Sequence, residues 1–205
     1  MLNIFKNFIE IFRALSKTPS KTVQGIWSEL FLISTSKVPS ILLNYWHNNP
    51  NEKFDFNADV EKVEVKSSST FERVHIFSSE QLTPPKDKKV LIASLFIRQN
   101  SSGKTITDLI NAIITKITNE DLINKMLNIV SSTLGSSAEQ GLKIKFDYDL
   151  AEDFLKYFDI KDISKIEKIN IPSRVSEVKY KSDLTDINPI ELKNIAGEGY
   201  LFKAL

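Results

Sequence analysis

Residues 90–97, VLIASLFI, are a continuous apolar run bounded by polar residues. A run this short, with no polar side to turn toward water, is the pattern of a β-strand covered on both faces. Two stretches upstream behave differently. KFDFN (53–57) and KVEVK (62–66) alternate strictly between polar and apolar residues, which is the signature of half-buried strands. At 205 residues, with 41% hydrophobic and 10% aromatic side chains, the chain is long enough to bury one good-sized core and is expected to form a single domain.

The remaining elements follow from periodicity and punctuation. Residues 2–17 set Leu2, Phe5, Phe8, Ile9, Phe12 and Leu15 on one side of a helix. Lys6, Glu10 and Arg13 interrupt them, so the segment reads as an amphipathic helix rather than a signal peptide or membrane span. Pro19 and its capping neighbours end that pattern. A second helix, VQGIWSELFLIST (23–35), is apolar enough to be largely buried, which makes Glu29 in its middle conspicuous. A strand is expected at 73–77, a short turn or helix at 78–82, helices at 105–118 and 119–134, a strand at 142–150, a helix at 151–158 and a late strand within 176–184.

Charge and residue usage exclude several classes of function. Twenty-seven Lys and Arg against 26 Asp and Glu leave a formal charge of +1, so net charge announces neither a nucleic-acid nor a membrane partner, and any basic surface must be local. The absence of cysteine removes thiol catalysis, disulfides and cysteine-based zinc sites, and fits a reducing cytoplasm. His47 and His75 are too few and too widely spaced to argue a zinc site, and each reads as a packed or surface histidine. Gly103, Lys104 and Thr105 match the tail of a phosphate-binding loop, but its first glycine would fall at Arg98. With one glycine such a loop cannot easily wrap a phosphate, and the stretch reads as a loop ending in a helix cap.

The alternating pair can be treated geometrically. Phe54 and Phe56 are expected to point one way with Val63 and Val65, leaving Asp55 on the face of Lys62, Glu64 and Lys66. A hairpin loop centred on Asp59 and Val60 places Asp55 directly opposite Glu64, with Cβ atoms about 4.5–5.5 Å apart. A loop at Ala58 and Asp59 sets Asp55 opposite Lys62 instead, and an odd-length loop without a bulge separates the carboxylates onto different faces. Two carboxylates this close repel unless a cation lies between them, and Mg²⁺ or Mn²⁺ with oxygen ligands fits. Lys66 has the reach to orient or deprotonate a metal-bound water. The alternative is a solvated strand face with cross-strand charge pairs of about 0.2–1 kcal/mol.

Asp55, then Glu64-Val65-Lys66, preceded by Glu29 in a helix, resembles the PD-(D/E)XK nuclease superfamily. GIWSELFLI (25–33), FDF (54–56), VEVK (63–66), HIFSSEQL (75–82) and IPSRVSEVKY (171–180) are similar in order and spacing to an uncharacterised PD-(D/E)XK family of bacterial defence islands. The resemblance implies an α/β, restriction-endonuclease-like core, a mixed central sheet flanked by helices, with a helical C-terminal half. It further implies Mg²⁺-dependent hydrolysis of double-stranded DNA, with Asp55 and Glu64 as metal ligands, Lys66 as the catalytic lysine and Glu29 as an accessory acid. Gln81, Lys62 and Ser67 become candidate substrate contacts. The family's Pro-Asp pair is Phe54-Asp55 here. By analogy with restriction enzymes the chain is expected to act in the cytoplasm, with a homodimer or other defence subunits as partners and no membrane. A nuclease-fold subunit that binds DNA without cutting it is the competing expectation.

Overall fold

A computed structural model of the chain describes residues 23–49, 52–135, 138–195 and 199–205; the helix expected at 2–17 lies outside them. Helix α1, Val23–Thr35, coincides with the expected one. Ile26, Trp27, Leu30, Phe31 and Ile33 are all buried along it, and Trp27 stacks on Phe31 with ring centroids 5.4 Å apart. A helix apolar on so many sides belongs in the interior. Pro39, whose fixed φ suits a helical first turn, opens α2, Pro39–Tyr45. The chain then forms β1 (Phe56–Ala58), β2 (Glu61–Ser68), β3 (Val74–Ser78), the one-turn α3 (Ser79–Leu82), β4 (Lys89–Phe96) and β5 (Gln99–Lys104). Helices α4 (Ile106–Ile114), α5 (Glu120–Leu134), α6 (Ala138–Gly141) and α7 (Tyr148–Asp153) precede β6 (Lys156–Asp159), β7 (Lys179–Asp183) and a terminal turn of helix, α8 (Leu201–Ala204).

The central sheet has the order β1-β2-β4-β6, and a second, two-stranded sheet pairs β3 with β7. Pairing is antiparallel between β1 and β2, parallel between β2 and β4 and antiparallel between β4 and β6. The result is the mixed sheet flanked by helices that a restriction-endonuclease-like fold requires. The alternation of β4 divides the interior in two. Leu91, Ala93 and Leu95 join Phe56, Val63 and the helices in one cluster, while Val90 and Ile92 join Phe54, Phe77, Phe158 and Leu184 in another, against the second sheet. The apolar run is covered on both faces, as its composition demands.

Three expectations are corrected. Phe54 precedes β1 and packs in the second cluster, whereas Phe56 packs in the first, so the two phenylalanines do not share one face. Residues 142–150 form no strand: Phe146 alone bridges to Gln99 and Lys104, and Asp147 then caps α7 by accepting from the Leu150 N–H at 3.1 Å. The helix expected at 151–158 stops at Asp153, because Tyr157 and Phe158 must reach opposite clusters across the sheet, which successive residues of a strand do.

The glycine-lysine-threonine stretch ends as a helix cap. The Thr105 hydroxyl accepts from the Asp108 N–H at 3.1 Å, while the Asp108 carboxylate accepts from the Thr105 N–H at 2.8 Å, a reciprocal capping box. Gly103 serves close packing: a Cβ there would lie 2.1 Å from the Phe146 carbonyl oxygen. At the other end of the chain, buried Glu61 accepts from the backbone N–H of Gly199 at 3.0 Å and of Phe202 at 3.1 Å, fastening α8 to β2. Among the described residues no helix is long and apolar enough to cross a membrane.

Candidate functional site

The turn between β1 and β2 sets the register. Asp59 takes φ 54°, a left-handed conformation that aspartate tolerates better than most residues. Phe56 pairs with Val63, Asn57 with Lys62 and Ala58 with Glu61. Carried one residue beyond the strand, this register sets Asp55 across from Glu64, the first of the arrangements open to the sequence.

Asp55 is held from both sides. Its carbonyl oxygen accepts from the His47 N–H at 2.9 Å, and its Oδ2 accepts from the Val65 N–H at 2.7 Å. The first contact fastens the segment after α2 beside β1; the second ties the carboxylate to β2. Glu29 reaches the same place from the middle of α1. Its Oε2 accepts from Trp46 Nε1 at 2.7 Å and lies 3.1 Å from His47 Nε2. Glu29, His47 and Asp55 are 3%, 2% and 7% exposed, and one ligand atom from each lies within 4.8 Å of the others. Two carboxylate oxygens and an imidazole nitrogen so arranged form a donor set suited to a divalent cation.

Glu64 and Lys66 occupy the opposite face of β2 from Val63 and Val65, looking toward the second sheet. Lys66 Nζ lies 2.7 Å from Glu64 Oε1 and 5.2 Å above the Phe77 ring. Beyond them is a buried polar layer. Arg73 Nη1 donates to the Ser94 carbonyl at 2.7 Å and to Ser94 Oγ at 2.8 Å, and Nη2 donates to the Phe154 carbonyl at 2.6 Å. The guanidinium stacks 4.5 Å from the Phe96 ring centre, and burial lowers its pKa to about 10. His75 Nε2 lies 2.8 Å from Ser94 Oγ. Burial, then the nearby Lys66 and Arg73 charges, push the His75 pKa down to about 4, so its imidazole is neutral near pH 7.

The structure thus brings Glu29 to Asp55, and Glu64 to Lys66. The other sequence candidates have architectural contacts. The Gln81 side chain accepts from the Ser78 N–H at 3.0 Å and donates to the Lys53 carbonyl at 2.8 Å, capping α3 and fastening it to the start of the hairpin. Lys62 donates to Asn57 Oδ1 and lies over the Phe54 ring, and burial lowers its pKa. Ser67 Oγ accepts from Gln24 Nε2 at 3.0 Å, joining β2 to α1. His47 is the residue that sequence reasoning misses. It stands 18 residues from Glu29, in no motif, and only the packing of α1 on the sheet brings the two together.

A cleft of about 610 Å³ opens beside Lys53, two residues before Asp55, and is lined by Lys53, Lys86 and Lys168 together with Glu80 and Glu177. Its charged lining is thus three lysines against two glutamates, and none of Glu29, His47, Asp55, Glu64 and Lys66 lines it.

A family model described as "Putative PD-(D/E)XK family member" matches residues 1–185. No curated protein and no solved structure matches the chain.

Proposed function

The chain belongs to that PD-(D/E)XK family, and from this membership we propose that it is a divalent-metal-dependent endonuclease acting on double-stranded DNA in the cytoplasm, as the nuclease of a restriction or anti-phage system. One observation carries the reading: two buried carboxylates, Glu29 and Asp55, lie within 4.8 Å of each other beside the strand that bears Glu64 and Lys66. Two ionised carboxylates that close repel, and a bound cation reverses the sign of that interaction. Mg²⁺ or Mn²⁺, when bound, supplies an activated water and neutralises charge on the scissile phosphate.

The remaining work falls to residues of the chain. Asp55, pinned by the Val65 N–H, and Glu29, pinned by Trp46, would hold the ion; Glu64 lies outside their three-residue group and enters as a further carboxylate from the family pattern alone. Lys66, seated on Glu64, provides a positive charge beside the reacting phosphate and a group able to hold or move a proton at the attacking water. Lys53, Lys86 and Lys168, which line a cleft next to the hairpin's start, would contact backbone phosphates. Cutting both strands of a duplex favours a homodimer or an association with other defence subunits.

A second reading has its own support. Lys66 is engaged by Glu64 and Asp55 by the backbone, as in a nuclease fold retained for DNA binding alone. Cleavage of modified and unmodified duplex DNA in Mg²⁺, Mn²⁺ and EDTA separates the two. Metal-dependent cutting that falls at least about 100-fold in Glu64→Ala and in Lys66→Ala, with unchanged circular dichroism, is the expected result. Cutting that survives EDTA and both substitutions refutes the catalytic assignment. Metal-independent DNA binding without cutting by the wild type establishes the second reading.

A further inference from the structure

We propose that His47 is a direct ligand of the metal, through its imidazole nitrogen, and that the site therefore takes a first-row transition dication such as Mn²⁺ in preference to Mg²⁺. The inference rests on the reading above, in which Glu29 and Asp55 hold a divalent ion. It adds a nitrogen donor to a site that the D-x8-E-x-K pattern describes with oxygen ligands alone.

Three observations support it. His47 is as deeply buried as the two carboxylates, and its ligand atom belongs to the same 4.8 Å group. The three residues arrive from separate parts of the chain, α1, the segment after α2 and the residue before β1, so local sequence geometry does not explain their convergence. Both carboxylate arms are also held from outside the group, and the histidine arm is tied to one of them through its main chain. Trp46 Nε1 fixes Glu29, the Val65 N–H fixes Asp55, and the His47 main chain is tied to the Asp55 carbonyl. Outer contacts of this kind orient ligands and commonly alter metal affinity 10–100-fold. Mg²⁺ favours an all-oxygen, largely hydrated octahedron. An imidazole in the set favours ions that bind nitrogen, in the order of the transition series.

The test is spectroscopic and needs no turnover. The full chain is loaded with one equivalent of Mn²⁺, and electron spin-echo envelope modulation is recorded for wild type, His47→Gln and His75→Gln. The expected result is a ¹⁴N coupling of directly bound imidazole in wild type and His75→Gln, absent in His47→Gln. Competition titration should show Mn²⁺ affinity at least about 10-fold lower in His47→Gln, with Mg²⁺ affinity changed less than about 3-fold. A wild-type Mn²⁺ signal without ¹⁴N coupling, or no bound Mn²⁺ at all, overturns the proposal. Should His47→Gln fail to fold, the wild-type and His75→Gln spectra still decide it. Nitrogen-bound Mn²⁺ in a protein that cuts no DNA upholds the ligand and refutes the nuclease assignment. Metal-dependent cutting without the nitrogen signal does the reverse.

Discussion

Acidification offers a quantitative test of the polar layer behind Lys66. Unfolded, the His75 imidazole titrates near its ordinary 6.5; folded, burial and the Lys66 and Arg73 charges hold it at about 4, opposed only by Asp183 on β7. Between those values the unfolded chain binds a proton that the folded chain refuses. The stability linked to His75 is therefore complete above about pH 6.5, falls as pH drops toward 4, and changes no further below that. The gap of about 2.5 pH units, at 1.36 kcal/mol each, is worth about 3 kcal/mol in all. Hydrogen bonding accommodates the neutral ring that burial and the neighbouring charges impose. Ser94 Oγ accepts from Arg73, and its own hydrogen can be donated to a neutral Nε2 of His75 at 2.8 Å. Urea unfolding of wild type and His75→Gln at pH 7.0 and pH 4.5 isolates the effect, since the carboxylates common to both chains cancel. Wild type should lose about 2.5 kcal/mol more than the variant over that interval. Parallel losses in the two proteins would show that His75 titrates normally in the folded state and would refute the buried layer as described.

Further outcomes follow from particular contacts. Replacing Glu61 by alanine removes a buried carboxylate that two backbone N–H groups of the C-terminal turn depend on. A loss of about 3 kcal/mol in urea unfolding is expected, with the tail released early to carboxypeptidase; a change under about 0.5 kcal/mol would mean that α8 docks through Leu201, Phe202 and Leu205 alone. Gly103→Ala forces a methyl to within 2.1 Å of the Phe146 carbonyl oxygen. Backbone must move, so a loss of about 2–3 kcal/mol should appear in thermal melting, and an unchanged melting temperature would refute the close approach of β5 to Phe146.

Much of this protein is legible without coordinates. The run of residues 90–97, apolar but for Ser94, fits a strand with both faces covered, because it is short and its side chains have no aqueous side. Helix α1 and its buried Glu29 are likewise evident, since a carboxylate amid Trp27, Leu30 and Phe31 stands out. Side-chain parity along the hairpin limits Asp55 and Glu64 to a few registers. Local patterns carry such features because each depends on neighbours within a turn or a strand. They fail where a segment answers to distant partners. LKIKF alternates like a strand yet is bent around β5, and AEDFLKYF reads as helix although Tyr157 and Phe158 must supply two cores at once.

The group proposed to hold a metal divides along the same line. The carboxylates and the lysine of the motif stand in the sequence, together with the chemistry that pairing them implies. Which of them meet is a tertiary outcome. Glu64 comes to rest on Lys66 because residues two apart share a strand face. Glu29 reaches Asp55 because α1 lies on the helix-covered side of the sheet. His47 joins them because the chain leaving α2 runs back beside β1, where its N–H binds the Asp55 carbonyl. Sequence alone determined that acidic groups and a lysine would sit on paired strands. Packing of a helix against a sheet, driven by burial of α1, decided that a histidine would stand among them.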